Sequence, residues 1–326
     1  MDPAQFLDDL EAKPTALASL AGHLDSGNPW DEVLEGFGGP VERVLLLGMG
    51  SSTFAAGVAA ARLRSSGCFA VAELASSALL PPPDAQTLVV AVSASGASTE
   101  TVDAARRYSG LAPTVALTNV EGGPLSALAQ ATVSMRAGVE TGGVACRSFQ
   151  HTLALFLALE SRLCRCELDV ASVIRRAAEA SDDLLSRRDQ WLPGVTERLA
   201  GPSGTFVVAP AARLSSAQQS ALMLREGPRR PAVASETGEW SHVDVYLTKT
   251  LDYRMLLLPG STYDDELLRW TSERGATVVS VGADVPQADA SLRYRHDDDD
   301  LVRLLAEVLV GELVSQRLWA RSASDG

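Results

Sequence analysis

Apolar residues recur at helical spacing near the start of the chain, at Phe6, Leu7, Leu10, Leu17, Leu20 and Leu24, and predict helix over residues 4–36. After Gly38-Gly39-Pro40 the pattern changes to a short unbroken apolar run, residues 44–47, followed at once by Gly48-Met49-Gly50-Ser51-Ser52 and an Ala-rich helical stretch over 54–64. That succession reads as strand, glycine turn, helix. Further strands are predicted at 69–72, 87–92, 114–117 and 131–135, with helices at 99–108 and 149–163. A polar helical stretch over 170–199 suits the surface or a connection between lobes. The alternation then restarts: strand 205–208, helix 215–226, strand 253–258, helix 264–274, strand 276–281 and a closing amphipathic helix over 301–319. Short apolar runs alternating with helices predict parallel sheets covered on both faces. The two opening strands lie about 160 residues apart with similar spacing to the next strong strand, which suggests two tandem lobes of one α/β design. The expected organisation is an N-terminal helical segment (1–36), a first lobe (37–168), a connecting helix (169–200) and a second lobe with the C-terminal helix (201–326). Each lobe is expected to be a doubly wound, flavodoxin-like parallel sheet.

Composition narrows the functional classes. The 326 residues include 28 Lys+Arg against 41 Asp+Glu, a formal charge of 28 − 41 = −13, with 46% hydrophobic residues. A chain this acidic repels a phosphodiester backbone, and no basic face appears in the sequence, so nucleic acid is not an expected partner. The start, Met-Asp-Pro-Ala-Gln-Phe, lacks the basic and apolar regions of a secretory signal, and no apolar run reaches the roughly 18–20 residues that span a bilayer. A cytoplasmic protein with no membrane partner is expected. Four cysteines (Cys68, Cys146, Cys164, Cys166) fit a reduced compartment. Cys164-x-Cys166 has no second pair or neighbouring histidines to complete a metal site, and is read as two cysteines on a buried helix end. Lysine occurs only at Lys13 and Lys249, which leaves few candidates for imine chemistry.

The strongest local motif is Ser93-Ala94-Ser95-Gly96-Ala97-Ser98-Thr99-Glu100-Thr101, which follows an apolar strand and opens a helix. Hydroxyl residues around one glycine at such a junction offer N–H and O–H donors converging on one point, a cradle for phosphate or carboxylate that needs no lysine. The turn Gly48-Met49-Gly50-Ser51-Ser52-Thr53 is a poor dinucleotide fingerprint, because Thr53 takes the third glycine position, although Glu73 falls near the place of an acidic ribose partner. No Gly-Lys-Ser or Gly-Lys-Thr occurs, so a P-loop is absent.

These two turns, with Leu117-Thr118-Asn119 and Glu140-Thr141-Gly142-Gly143-Val144-Ala145 after them, make the chain resemble the sugar isomerase (SIS) domain family. It is most similar to the tandem-SIS isomerase half of glucosamine-6-phosphate synthase and to free-standing phosphosugar isomerases, deaminases and deglycases. The resemblance runs over roughly residues 5–318, and the ordered series is specific where no single motif is. It implies that Ser51, Ser52, Ser93, Ser95, Gly96 and Ser98 hold the phosphate or hydroxyls of a sugar phosphate, with Val144 beside the sugar. Ala94 stands where the synthase has glutamine, and Cys146 where a small hydroxyl residue is common; Cys146 itself is read as a packed thiol rather than a nucleophile. A glutaminase domain and an N-terminal cysteine are absent from the sequence, so this chain is not expected to hydrolyse glutamine for itself; an ammonia-supplying partner is a further reading.

In the second lobe Glu226 ends a helix stopped by Gly227-Pro228, and Thr237-Gly238-Glu239-Trp240-Ser241-His242 follows. These resemble the family's helix-end Glu and its Gly-Glu-x-x-His segment. A carboxylate at a helix C-terminus faces the negative end of the dipole, which raises its pKa and suits a base moving a proton between C1 and C2 of an open-chain sugar. His242 suits proton exchange with oxygen or a departing amine. The resemblance implies that this histidine serves a neighbouring subunit, hence a homodimer with shared sites. The family's tail lysine has no counterpart in the closing Trp319-Ala320-Arg321-Ser322-Ala323-Ser324-Asp325-Gly326, and Met223 replaces a lysine one turn before Glu226. A lysine imine is therefore not expected. The expected reaction is aldose–ketose isomerisation or deamination of a sugar or amino-sugar 6-phosphate, of the glucosamine-6-phosphate/fructose-6-phosphate class, with no metal or organic cofactor. A deglycase acting on fructosamine 6-phosphate and a non-catalytic phosphosugar sensor are the alternatives. The acidic run 297–300 after His296 is read as a solvated loop entering the last helix.

Overall fold

The computed structural model describes residues 1–164 and 167–324. Along the chain run α1 (Pro3–Glu11), α2 (Lys13–Asp25), α3 (Trp30–Gly36), β1 (Arg43–Gly48), α4 (Ser51–Ser65), β2 (Phe69–Leu74), β3 (Thr87–Val92), α5 (Thr99–Tyr108), β4 (Thr114–Thr118), α6 (Pro124–Leu128), β5 (Ala131–Ser134) and α7 (Arg147–Leu163). There follow α8 (Val170–Ser186), α9 (Arg188–Leu199), β6 (Thr205–Ala209), α10 (Leu214–Glu226), β7 (Ala232–Glu236), α11 (Thr237–Trp240), β8 (Arg254–Leu257), α12 (Asp264–Glu273), β9 (Thr277–Val281), β10 (Ala290–Leu292), α13 (Asp300–Ala306) and α14 (Val308–Ser324). No described helix is long and apolar enough to cross a membrane.

Two five-stranded parallel sheets carry the fold, in the orders β2-β1-β3-β4-β5 and β10-β9-β8-β6-β7. Both are the doubly wound arrangement expected from the alternation. The central strands are apolar without interruption because helices cover both faces: β3 and β4 are buried at every position, as is β6. The chain forms two compact units. One comprises Ala16–Val139 and Arg147–Ile174 around the first sheet; the other comprises Met1–Thr15, Glu140–Cys146 and Arg175–Gly326 around the second.

Prolines and polar breaks divide the long helical stretches predicted from spacing. The 4–36 stretch is three helices. The first ends before Pro14, whose missing N–H is tolerated only in a first turn, and the second ends before Pro29. Between them Asn28 accepts from Trp30 N (3.0 Å) and donates to Ala158 O (2.8 Å), while the Trp30 indole donates to Leu155 O (2.8 Å). Residues 170–199 are two helices meeting at Arg187, and the final helix is broken at Glu307. β7 and β10 are strands that the apolar pattern does not reveal. Both are short sheet edges, and only the first residue of β7 and the last of β10 are buried.

The acidic run is more structured than a solvated loop. Asp299 caps α13, accepting from Leu301 N (2.8 Å) and Val302 N (3.2 Å). Asp297 is 4% exposed and takes a bidentate pair from Arg293 (2.6 and 2.7 Å).

Candidate active site

The first-sheet unit builds its site where the strand order reverses. β1 leads to β2 on one side while its other neighbour, β3, leads to β4, so the turns after β1 and β3 open next to each other, with Leu47 paired to Ala91. Crevices at such a reversal are the usual ligand sites of open α/β sheets. The β1 turn runs into α4, whose N-cap is Gly50; the β3 turn runs into α5, whose N-cap is Ser98. Neither helix has a side-chain cap at its N-cap residue, and the positive end of each dipole faces its turn; in α4 the Ser52 and Thr53 N–H groups already donate to Met49 O (3.1 Å) and Gly50 O (3.0 Å). Sequence-predicted Ser51, Ser52, Ser93, Ser95, Gly96 and Ser98 all lie on these two turns.

Local bonds fix the β3 turn. The Ser93 hydroxyl is 5% exposed, sits 3.4 Å from Ser95 Oγ and accepts from Ser98 N (3.4 Å). Ser95 Oγ accepts from Ala97 N (3.3 Å), and Ser98 Oγ donates to Glu100 (3.0 Å). Gly96 is required rather than merely favoured. Its φ is +64°, and a Cβ there would stand 2.9 Å from Thr118 Oγ1 and 3.2 Å from Val120 O. Asn119, from the Leu-Thr-Asn motif, braces the neighbouring turn by donating to Gly138 O (2.6 Å) and accepting from Ala137 N (2.9 Å). A hollow of about 510 Å³ in this unit is lined by His23, Glu121, Ser134 and Arg136 beside the edge strand β5; none of Ser51, Ser52, Ser93, Ser95 and Ser98 lines it.

The second-sheet unit holds the acid–base candidates. Glu226 is the last residue of α10, half-buried, and its carboxyl is held above the usual carboxylate range. The direction is the one expected, but the leading cause is burial, opposed by the adjacent Arg225 guanidinium. His242 follows α11 and is exposed; no hydrogen bond joins it to Glu226 within the chain. Trp240, two residues earlier, is fully buried, and its indole donates to Tyr253 OH (2.8 Å), whose ring stacks on Phe206 at 4.0 Å. That anchor pins α11 and leaves the residues after it, His242 included, at the surface.

Val144 belongs to this unit as well. Its loop is gripped on three sides. Gly142 N donates to Asp9 (2.7 Å), Cys146 N donates to Glu140 (2.7 Å), and Ala145 O accepts from Gln219 Nε2 (2.8 Å). A Cβ on Gly142 would stand 2.5 Å from Phe6 Cα, so α1 closes directly on the loop. Below it the Lys13 ammonium donates to Glu312, both fully buried. The Cys146 thiol, wholly buried beside this pair, is pushed well above its ordinary pKa by desolvation, in keeping with a packed thiol. Gln219 is the residue sequence reasoning missed: it sits two turns before Glu226 on the same helix face, fully buried, and ties the Val144 loop to the Glu226 helix. The available signal was a glutamine on an otherwise small or apolar face.

Cys164 is half-buried just past α7, whereas Cys166 lies outside the described residues. Among the described residues no cluster of three or more His, Cys, Asp or Glu side chains is arranged to hold a metal.

The fold is a doubly wound α/β arrangement that places the two serine turns at the reversal point of the first sheet. Residues 40–162 match the SIS domain, and the chain has the α/β fold of the solved structures below. A glutamine–fructose-6-phosphate aminotransferase (isomerizing) from Methanosarcina acetivorans is 26% identical over 255 residues, covering 73% of this chain and 41% of its own length. This chain thus spans about two-fifths of that relative. Among solved structures, the C-terminal domain of glucosamine-fructose-6-phosphate aminotransferase from Francisella tularensis superposes with a TM-score of 0.85 at 16% identity, covering 98% of this chain and 96% of that one. Tagatose-6-phosphate ketose/aldose isomerase from Escherichia coli gives 0.82 at 16% identity, covering 98% and 93%.

Proposed function

We propose that the protein is an aldose–ketose isomerase of sugar 6-phosphates or amino-sugar 6-phosphates, of the glucosamine-6-phosphate/fructose-6-phosphate class. Glu226 is the base that moves a proton between C1 and C2 through an enediol or enaminol, and His242 is the acid that serves oxygen or a departing amine. The observation that carries this reading is the half-buried helix-end carboxyl of Glu226, whose raised pKa brings it closer to the working range of a general base. The hydroxyls and N–H groups of the two serine turns hold the phosphate without a lysine. Phosphosugar chemistry in the relatives' names supports the substrate class.

The catalytic unit is a homodimer in which His242 of one subunit serves Glu226 of the other. This is supported by the exposure of His242, which is followed by Val243 at 55% and, three residues on, Tyr246 at 61%, apolar surface that a second copy would cover. A non-catalytic phosphosugar sensor is the second reading, favoured by one observation: Met223, one turn before Glu226, is 1% exposed and offers no charge to the site.

The test is isotope exchange in D2O with fructose 6-phosphate, glucosamine 6-phosphate and a fructosamine 6-phosphate conjugate, followed by proton NMR at C1 and C2. Deuterium uptake that disappears in Glu226→Gln is the expected result. Thermal stabilisation by these ligands without any exchange would leave the sensor, and loss of an amine from the conjugate would shift the reaction to a deglycase.

A further inference from the structure

Two thiols outside the candidate site meet in the first-sheet unit. Cys68 lies between α4 and β2, and Cys164 directly follows α7; their sulfurs are 3.2 Å apart. That is closer than the roughly 3.5–4.0 Å at which even non-bonded carbons pack best. The approach is built into the helices that carry them. α4 and α7 pack side by side, and the Arg62 guanidinium of α4 grips the Glu160 carboxylate of α7 with two bonds of 2.7 and 3.1 Å, one to two turns before the cysteines. A bidentate pair of this kind fixes the register of the two helix ends. Both sulfurs are partly exposed, so a small oxidant can reach them; Cys146, wholly buried, is out of reach.

We infer that Cys68 and Cys164 form a dithiol modification site that a hydroperoxide converts to an intramolecular disulfide. Burial and the neighbouring Cys68 thiol push Cys164 up to about 12, so Cys68 is the sulfur that attacks first. The Cys68 thiol gives up its proton and its sulfur takes one oxygen of hydrogen peroxide; the O–O bond breaks, the departing hydroxide takes that proton and leaves as one water, and Cys68 becomes a sulfenic acid. The Cys164 sulfur then attacks the Cys68 sulfur. The S–S bond forms, the S–O bond breaks, and the departing hydroxide takes the Cys164 proton as a second water. The two thiols are oxidised by two electrons and the peroxide is reduced; a dithiol reverses the change by exchange. The bond would tie the C-terminal ends of α4 and α7, and α4 begins at Ser51 and Ser52. The site is independent of the proposed sugar chemistry.

The full chain is treated with hydrogen peroxide, alkylated and mapped by mass spectrometry without reduction. Trypsin cuts at Arg165 and so separates Cys164 from Cys166. The expected result is the loss of two hydrogens per chain and a link between the Cys68 peptide and Leu163-Cys164-Arg165, reversed by dithiothreitol. The link persists in Cys166→Ser and disappears in Cys68→Ser and Cys164→Ser; because the map on the native sequence already assigns it, poor folding of either variant does not blunt the test. No loss of hydrogen, a link through Cys166 or Cys146, or cross-links only between chains would overturn the inference.

Discussion

Replacing Glu307 with glutamine should make the protein more stable at neutral pH than the native chain. Glu307 is fully buried at the break between α13 and α14, and desolvation raises its carboxyl from 4.5 to about 7 despite the Arg213 guanidinium 3.1 Å away. Arg213 does not depend on it, because it also bonds Asp300 (2.9 Å) and Pro259 O. A folded-state pKa above the unfolded one means that the native chain holds a proton which the unfolded chain has released. Stability from this group is therefore complete below about pH 4.5 and is lost as pH rises through 7. A carboxyl raised from 4.5 to about 7 corresponds to an effect on the order of 3 kcal/mol. Glutamine mimics the protonated acid and lacks this penalty. Urea unfolding of both proteins from pH 4.5 to 8, followed by tryptophan fluorescence, reads the difference; Trp191, Trp240, Trp270 and Trp319 all lie in the unit that contains Glu307. The variant should gain about 3 kcal/mol relative to the native chain across that range. A difference that stays flat, or a variant that loses stability at high pH, would show that Glu307 is ionised and that its pairing with Arg213 dominates.

Four further outcomes follow from the same geometry. Glu226→Gln should lower exchange by roughly 10²–10⁴-fold with folding intact, and in the native protein the rate should fall as pH drops through a pKa above 4.5, because the base must be ionised. Lys13→Met should cost about 3–5 kcal/mol by stranding buried Glu312, whereas Lys13→Met with Glu312→Leu should recover most of it, as measured by chemical denaturation. Gly142→Ala should destabilise by about 1–3 kcal/mol, since the nearest atoms are Phe6 backbone and cannot swing away. Gly96→Ala should weaken phosphosugar binding in calorimetry well before it affects the melting temperature of the whole chain, because the strain is local to the β3 turn.

Much of this architecture is legible in the sequence because buried parallel strands announce themselves. Residues 44–47 and 88–92 are continuous apolar runs, and each is followed by a turn rich in Gly and Ser that opens a helix. The serine turns were placeable for the same reason, their motifs being local in sequence. The grip on the Val144 loop was not. It is assembled from Asp9 and Gln219, which lie far apart along the chain and are individually ordinary, and only tertiary packing brings them to one loop. β7 and β10 escaped because edge strands bury few residues and need no apolar run. The raised pKa of Glu226 was anticipated for a partly mistaken reason: the dipole argument is local and visible in sequence, whereas burial depends on neighbours that are not.

The closure of α1 onto α14 sets a timetable for making the protein. The Lys13–Glu312 pair joins residues 299 positions apart. A ribosome adding about 5–20 residues per second needs roughly 15–60 s between one partner and the other. Throughout that interval Phe6 and Leu10 are already made, but the helix that buries them is not. α1 is made long before α14, the helix it closes on, so a nascent chain carries an unsatisfied apolar face and an unpaired lysine until α14 is made. Slow translation or scarce chaperones should tell first on α1.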